Sequence, residues 1–170
     1  MKALDYRAIS PQLLTQLSGE GVFLTAGTMD TANSLTIGWG TIGIVWRRPV
    51  FVCAIRLDRY THRVLEQSGA FTVSIPATGT LSEELKFIGT KSGRDMDKYA
   101  ATGLTLLPGQ NVSAPVIAQC PIHLECQVVS SHIMEPGLTH PSVRTIYDTH
   151  NTYHVLFYGE ILSCYSTEEE

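Results

Sequence analysis

The sequence predicts a mainly β protein, a β-barrel with short helices, formed as a single domain over residues 1–170. Three observations support this fold class. Short runs of β-branched and aromatic residues recur along the chain between turns that contain glycine, proline or asparagine. The helical patterns between these runs are few and short. The composition, 44% hydrophobic and 16% charged over 170 residues, is that of a globular domain with one full core.

The first third of the chain predicts a helix followed by three strands. Residues 10–17 form the helix, because Ser10 can cap it and Pro11 suits the first helical position. Gly19 and Gly21 end it, and residues 22–27 form the first strand. Turn-forming side chains occupy residues 29–33. The next two strands are residues 35–39 and 50–56.

The middle of the chain alternates helices and strands. A helix over residues 61–68 begins with Thr61 as its cap and closes at Gly69. Alternation of apolar and polar side chains predicts a strand over residues 71–75. Helical spacing of leucine and isoleucine predicts a helix over residues 80–88, and a polar loop follows at residues 89–95.

The last third supplies one helical turn and the remaining strands. The turn covers residues 96–101, and the predicted strands are residues 104–107, 116–118, 122–130, 144–147 and 153–164. Residues 131–149 contain two prolines and a glycine and predict an irregular excursion from the barrel. Residues 168–170 are three glutamates and predict a solvated tail.

Several classes of function are disfavoured. A net charge of −4 argues against a nucleic-acid partner, and no run approaches the roughly 18 apolar residues that cross a bilayer. The four cysteines form no C-x-x-C pair, which favours reduced thiols and a cytoplasmic location. The six histidines follow no metal-binding spacing, so no metal site is expected. No dinucleotide-binding or P-loop glycine motif is present.

A segment beginning at Asn33, with the sequence Asn-Ser-Leu-Thr-Ile-Gly-Trp-Gly, is suited to a flat ring. Gly38 and Gly40 lack side chains, so a ligand could lie against the main chain there. Glycines at a strand end also mark simple bends in barrels. Trp39 could cover a ring or donate its indole N–H, and it could equally be a core or interface residue.

A cationic segment follows the Asn33 segment along the chain. Arg56 and Arg59 precede Thr61 at a predicted helix start, where free backbone N–H groups attract an anion. Two solvated arginines and an ordinary helix cap would give the same pattern. The polar loop that starts at Lys91 and Ser92 suits a phosphate or a nicotinamide nucleotide, but its composition is also that of an exposed loop.

In order and spacing, these segments resemble the flavin reductase-like family, which includes NAD(P)H:flavin oxidoreductases and flavoredoxins. The resemblance runs from the Ser-Pro-Gln at Ser10 to the strand that His154 opens. Its most specific fragments are Asn33-x-x-Thr36-Ile-Gly-Trp39-Gly, Trp46-x-Arg-Pro49, Arg56-x-x-Arg59-Tyr-Thr61, Phe71-Thr-Val-Ser and Gly89-Thr-x-Ser-Gly-Arg-Asp-x-Asp-Lys98.

The resemblance implies a Greek-key FMN-binding split barrel, and a homodimer with FMN held non-covalently near the subunit interface. It places the isoalloxazine and ribityl against Asn33, Thr36, Ile37, Gly38 and Trp39. It places the phosphate end against Arg56, Arg59, Tyr60, Thr61 and Lys91, with Ser92 in the same loop. His154 matches a family histidine near the flavin or the nicotinamide. No catalytic side chain is expected, because flavin itself carries the chemistry.

Three functions remain open from the sequence. The leading one is an FMN-dependent enzyme that takes a hydride from NAD(P)H and passes electrons to free flavin, iron or a protein acceptor. The alternative is a flavoredoxin-type FMN electron carrier with no nicotinamide reaction of its own, and a third is a binding barrel without redox function. The apolar stretch over residues 36–46 predicts a two-fold homodimer interface.

Overall fold

The computed structural model describes residues 1–148 and 152–167, so the end of the predicted excursion, His150 and the glutamate tail lie outside it. Within these ranges the chain is mainly antiparallel sheet with short helices, which confirms the predicted fold class. The strands are β1 (Lys2–Ala3), β2 (Val22–Ala26), β3 (Asn33–Ile37), β4 (Gly40–Val45), β5 (Arg48–Arg56), β6 (Ala70–Ile75), β7 (Leu106–Leu107), β8 (Val116–Ile117), β9 (Ile122–Ile133) and β10 (His154–Ser166). The helices are α1 (Tyr6–Ser18), α2 (Tyr60–Ser68), α3 (Ser82–Thr90), α4 (Lys98–Thr102) and α5 (Pro141–Arg144), with 3-10 helices at Pro136–Leu138 and Thr145–Tyr147.

The main sheet has the strand order β3-β2-β6-β9-β10-β5-β4, with β1 added to β10, and every pairing is antiparallel. β7 and β8 form a separate two-stranded ladder. The two longest strands, β9 and β10, pair at the middle of the sheet. In the described part of the chain, β3 and β4 are the two edges of this hydrogen-bonded path.

Side chains from both faces of the central strands are buried. On one face, Leu24, Phe51 and Phe71 pack with residues of α1 and α2 in the larger core. On the other face, Phe23 packs with Leu85 of α3 in a smaller cluster. Because successive strand residues point to opposite faces, β2 is buried at every position. This packing holds α3 and the loop after it against the sheet.

Helix α1 begins four residues earlier than the sequence indicated. Asp5 is its N-cap and its carboxylate accepts a hydrogen bond from the backbone N–H of Arg7, so the predicted cap at Ser10 was wrong. Pro11 lies inside the helix, where it removes one donor. The burial of Ile9 against the core explains the extra turn, because tertiary packing outweighs local helix signals.

Four further predictions of secondary structure were wrong or incomplete. Residues 144–147 are helical and not a strand, because Pro141 starts a helix that His140 caps, and a 3-10 turn continues it. The strand predicted over residues 35–39 ends at Ile37, and Asn33 belongs to it and not to the preceding turn. Strand β4 was missed altogether, since its two glycines weaken a strand pattern. β9 also extends to Ile133, so the excursion starts later than predicted.

All four cysteines are buried as free thiols. None of the helices in the described ranges combines the length and hydropathy needed to cross a bilayer.

Gly159 shows how tightly β10 crosses the core. A Cβ at this position would lie 2.5 Å from the Phe71 ring and 2.8 Å from the Cβ of Cys126, both in the sheet interior. At Gly43 of β4, a Cβ would meet no heavy atom within 4 Å. The two glycines therefore differ in packing although both lie in strands.

We expect Gly159→Ala to lower the free energy of unfolding by about 1–3 kcal/mol, because the added methyl overpacks the core. The matched variant Gly43→Ala should leave the free energy of unfolding unchanged or slightly higher. Urea unfolding followed by fluorescence measures both. Equal stability of the two variants would mean that the space around Gly159 is not limiting.

Candidate functional site

Two cavities lie side by side where β3, β5 and β10 meet the start of α2 and the loop after α3. The first, called here the basic cavity, has a volume of about 280 Å³. The second, called here the tryptophan cavity, has a volume of about 170 Å³. They share Leu35, Arg56 and Arg59 as lining residues, so they adjoin each other and are treated together as one candidate site. Sites for small organic ligands commonly measure several hundred Å³.

The sheet register positions the centre of this site. Arg56 is the last residue of β5 and lies directly opposite His154, the first residue of β10, in the antiparallel ladder. Asn33 opens β3, and Arg59 caps α2 from the loop that follows β5. Four separate segments therefore bring polar side chains to the same end of the sheet, where β5 ends and β3 and β10 begin.

The basic cavity is organised around the start of α2. The Asn33 amide Nδ2 donates to Thr61 Oγ1 at 2.6 Å, and both residues are buried. The N-cap Arg59 makes no side-chain cap to the helix, which leaves N–H groups at the N-terminus for another acceptor. The Arg59 guanidinium instead donates to the carbonyl of Gly89 at 3.2 Å. Because the N-cap is Arg59 and α2 begins at Tyr60, the predicted cap at Thr61 was wrong.

The loop after α3 closes the other side of the basic cavity. Gly93 lies so close to Asn33 that a Cβ there would overlap the amide oxygen, so only glycine fits. The Arg94 guanidinium stacks 5.3 Å from the centre of the Tyr60 ring and donates to the carbonyl of Asp58 at 3.2 Å. Lys91 and Ser92 line the same cavity from this loop.

Lys98 is a buried cation that the site residues predicted from sequence did not include. Its ammonium donates to the backbone carbonyls of Ser34, Ile88 and Lys91, the last two at 3.2 and 3.4 Å. Burial, with a smaller contribution from Arg59, lowers the pKa of Lys98 to about 8. Lysine is rarely buried, so its burial could not be predicted; the only signal was its place at the end of the fragment that begins at Gly89.

The tryptophan cavity lies between the segment after β3 and the end of β5. Thr36, Ile37, Gly38 and Trp39 form one wall, and Ala54 to Arg56 of β5 form another. The Ile37 side chain is buried in the core, so only its backbone can serve a ligand there. Gly40 does not line the cavity. It is small because a Cβ there would lie 2.8 Å from the Phe51 ring, so its role is packing.

An aromatic cluster borders this cavity. The indole of Trp39 is 44% exposed, and its centre lies 4.7 Å from the His154 ring at a tilt of 42°. Nδ1 of His154 lies 2.8 Å from the hydroxyl of Tyr147, which comes from the predicted excursion. Burial, followed by the positive charge of Arg56, lowers the pKa of His154 to about 4. The imidazole is therefore neutral at pH 7.

The structure brings all twelve sequence-predicted site residues to these two cavities. Their roles toward a ligand stay predictions. The basic cavity contains Asn33, Arg56, Arg59, Tyr60, Thr61, Lys91 and Ser92, and the tryptophan cavity contains Thr36, Ile37, Gly38, Trp39 and His154 together with the shared arginines. The lining residues that the sequence missed are Leu35, Ala54, Ile55, Asp58, Ile88, Gly93, Arg94 and Lys98.

The arrangement suits a ligand with a flat ring at one end and an anion at the other. Cations and a helix N-terminus surround the basic cavity. Main-chain groups and an exposed indole edge the tryptophan cavity. Across the residues that the structure describes, no group of three or more His, Cys, Asp or Glu side chains is placed to hold a metal ion.

Comparison with known proteins gives consistent findings. The sequence profile of the flavin reductase like domain matches residues 16–170. An uncharacterized protein of Archaeoglobus fulgidus is 30% identical over 140 residues, which are 82% of this chain and 68% of that protein. The structure of flavoredoxin from Desulfovibrio vulgaris (Miyazaki F) is similar with a TM-score of 0.68 and 27% identity, over 87% of this chain and 70% of that chain. An FMN-binding protein from Thermus thermophilus shares the fold, with a TM-score of 0.65 and 21% identity over 85% of this chain and 68% of that chain.

Proposed function

The chain belongs to the flavin reductase-like family, and we propose that it is an FMN-dependent oxidoreductase that takes a hydride from NAD(P)H and passes electrons to free flavin, iron or a protein acceptor. The single observation that carries this proposal is that the basic and tryptophan cavities adjoin each other at Arg56 and Arg59. FMN has a flat ring and a phosphate joined by a polar chain, so it needs such a pair of unlike compartments side by side.

The residues present fit FMN at the phosphate end. A phosphate monoester carries close to two negative charges and binds best to cations combined with backbone N–H groups. Arg56, Arg59 and Lys91 supply the charge, and the start of α2 at Tyr60 and Thr61 supplies N–H donors. Gly93 keeps the loop with Ser92 close to this end, as the near overlap at Asn33 shows.

The residues also fit the ring end. Main-chain groups of Thr36, Ile37 and Gly38 can meet the hydrogen-bonding edge of an isoalloxazine, and Trp39 can pack on its face. Asn33 lies in the basic cavity at the start of the strand that carries these residues, where it can bind the ribityl chain. When bound, FMN supplies hydride acceptance and electron release. The protein's part is to fix the ring and limit access to it.

Neutral His154 suits this environment. Arg56 and Arg59 already line the tryptophan cavity, and a further positive charge on the imidazole would be opposed by burial and by these two arginines. His154 can therefore give or accept one hydrogen bond at the ring end without changing the charge of the site. This property would keep the ring environment constant between about pH 6 and 8.

The alternative function is an FMN electron carrier without a nicotinamide reaction. The similarity to flavoredoxin at 27% identity favours it. Both functions need the same cavities, so the geometry of the FMN site does not separate them. They differ only in whether the bound flavin accepts a hydride from NADH or NADPH.

The first test concerns the cofactor and its reductant. We expect the purified protein to be yellow and to release FMN, not FAD, on denaturation, because the site has one compact cationic compartment. Anaerobic mixing with NADH or NADPH should then bleach the flavin absorbance. Bleaching by dithionite alone would favour the electron carrier, and recovery of FAD or of no flavin would refute the proposed cofactor.

The second test concerns the phosphate compartment. Lys91→Ala should weaken FMN binding by about 1.5–3 kcal/mol, the range for a hydrogen bond to a charged group. This is roughly a ten- to hundred-fold rise in the dissociation constant. Riboflavin lacks the phosphate, so its affinity should barely change. Lys86→Ala, an exposed lysine on α3, is the matched control and should leave both affinities unaltered. Equal weakening of FMN and riboflavin by Lys91→Ala would mean that Lys91 does not contact the phosphate.

We also propose a two-fold homodimer, and a surface at the β4–β5 hairpin supports it. Of the apolar residues predicted there, Ile37 belongs to the core, but Ile44 and Trp46 are 63% and 56% exposed. Trp46 packs at 5.6 Å on Tyr158 of β10, and Val129 of β9 lines a shallow cavity beside it. Exposed apolar side chains grouped in this way are typical of an interface.

The hairpin turn gives independent support. Trp46 and Arg47 both have positive φ, 52° and 60°, in a two-residue turn where glycine or asparagine would be easier to accommodate. Left-handed backbone at such residues costs roughly 1–2 kcal/mol each. A large indole on this strained turn suggests a function for it in contact with another surface.

Free buried thiols further support the proposed cytoplasmic location.

The third test concerns assembly. We expect light scattering at micromolar concentration to give the mass of a dimer. The double variant Ile44→Lys with Trp46→Lys should give a monomer, because two charges would be buried in the interface. Leu14→Lys changes a comparably exposed leucine on α1 and should leave the dimer intact. A monomeric wild type, or a dimeric double variant, would contradict this interface.

A further inference from the structure

Tyr147 contacts the ring of His154 from behind the tryptophan cavity. It lies in the 3-10 helix Thr145–Tyr147, outside the sheet, yet its side chain is only 3% exposed. The ring of Tyr153 stacks on it at 4.4 Å and 15°, and the indole of Trp39 meets it edge-on at 6.5 Å. Tyr147 is not a lining residue of either cavity. Its hydroxyl lies 2.8 Å from Nδ1 of His154.

We propose that Tyr147 is a positioning residue whose hydroxyl donates to Nδ1 of His154, which holds His154 as the Nε2–H tautomer and presents Nε2–H as a donor to the ring bound in the tryptophan cavity. Under the proposed function that ring is the isoalloxazine, and this part of the inference rests on the proposed function. The tautomer itself does not rest on it.

The direction of the hydrogen bond follows from the available acceptors. His154 is neutral at pH 7, so only one of its ring nitrogens carries a proton. Among the residues that the structure describes, the Tyr147 hydroxyl has two acceptors in reach, Nδ1 of His154 at 2.8 Å and the thioether sulfur of Met134 at 3.3 Å. An imidazole nitrogen is a full acceptor and a thioether is a weak one. The hydroxyl therefore donates to Nδ1, and the imidazole proton resides on Nε2.

The phenol cannot serve this purpose as an anion. Burial raises the pKa of Tyr147, so its hydroxyl keeps its proton at neutral pH. The stacked ring of Tyr153 and the edge contact with Trp39 fix the direction of the hydroxyl. Nδ1 is thus occupied by a residue that does not line the cavity, which leaves Nε2 as the ring nitrogen that can bond to a ligand.

A fixed Nε2–H donor would change the reduction potential of a flavin bound beside it. Reduction of a flavin increases the electron density on its ring, so a hydrogen-bond donor binds the reduced form more strongly than the oxidised form. The protein would then raise the reduction potential of the bound flavin without adding a charge. Tyr147 would contribute to this shift although it does not touch the flavin.

The experiment measures the tautomer directly on nitrogen-15-labelled protein at pH 7. Two-bond proton–nitrogen correlation spectra distinguish a protonated from an unprotonated ring nitrogen, and His154→Gln assigns the signals. We expect Nε2–H in the wild type and a mixture or the opposite tautomer in Tyr147→Phe. Tyr153→Phe, which removes a neighbouring hydroxyl and keeps the stacked rings, should match the wild type.

An Nδ1–H tautomer in the wild type, or the same tautomer in Tyr147→Phe, would overturn the proposal. The wild-type measurement decides the first point even where the variant does not fold. With FMN bound, the midpoint potential should become more negative in Tyr147→Phe and stay unchanged in Tyr153→Phe. An unchanged potential with a changed tautomer would refute the contact between Nε2–H and the flavin. Because the tautomer needs no flavin, it is tested even if the protein binds none.

Discussion

The antiparallel pairing of β5 with β10 is the constraint on which the site depends. Its register sets Arg56, which lines both cavities, opposite His154, which lines the tryptophan cavity. A shift of one residue would turn every side chain of the strand to the other face. The register is held further along the same strand, where Gly159 crosses the Phe71 ring with no room for a side chain. Packing in the core thus fixes the contacts at the end of β5 and the start of β10.

A buried ammonium ties the rest of the site to this sheet. Lys98 joins the carbonyls of Ser34 in β3, Ile88 in α3 and Lys91 in the loop that follows. Removing a charge from water is costly, and burial lowers the pKa of Lys98 accordingly. Such a group persists because its ammonium is satisfied by three backbone carbonyls. These hydrogen bonds tie the loop with Lys91 to β3.

The two ends of the site have contrasting electrostatics. The basic cavity concentrates cations around the start of α2, whereas the tryptophan cavity has a neutral histidine and an exposed indole beside the two shared arginines. Arg56 and Arg59 border both cavities and help to keep His154 neutral. The same charges that suit an anion at one end therefore add to burial in lowering the pKa of His154 at the other. The aromatic contacts of Tyr147 and Trp39 then orient the neutral ring.

Local sequence determined the mainly β fold class, most strands, and the segments that carry the site, because strand periodicity and turn chemistry act over a few residues. Predictions from local sequence were wrong where contacts between distant segments decide the secondary structure. Burial of Ile9 extends α1 toward the N-terminus, beyond the start signal at Ser10 and Pro11, and pairing with β5 makes a strand of the glycine-containing residues of β4. The predicted strand at residues 144–147 became helical, because His140 and Pro141 start a short helix.

For the site, the sequence supplied the twelve residues, but only the tertiary structure decided which of them meet. The pairing of Arg56 with His154 spans about a hundred positions, and nothing local to either residue encodes it. Likewise, Lys98 and Tyr147 are ordinary surface residue types, and only folding brings the ammonium to three carbonyls and the hydroxyl to Nδ1 of His154. Hydrogen-bond partners of buried polar groups come from distant segments, because a folded chain must satisfy such groups wherever its backbone leaves them.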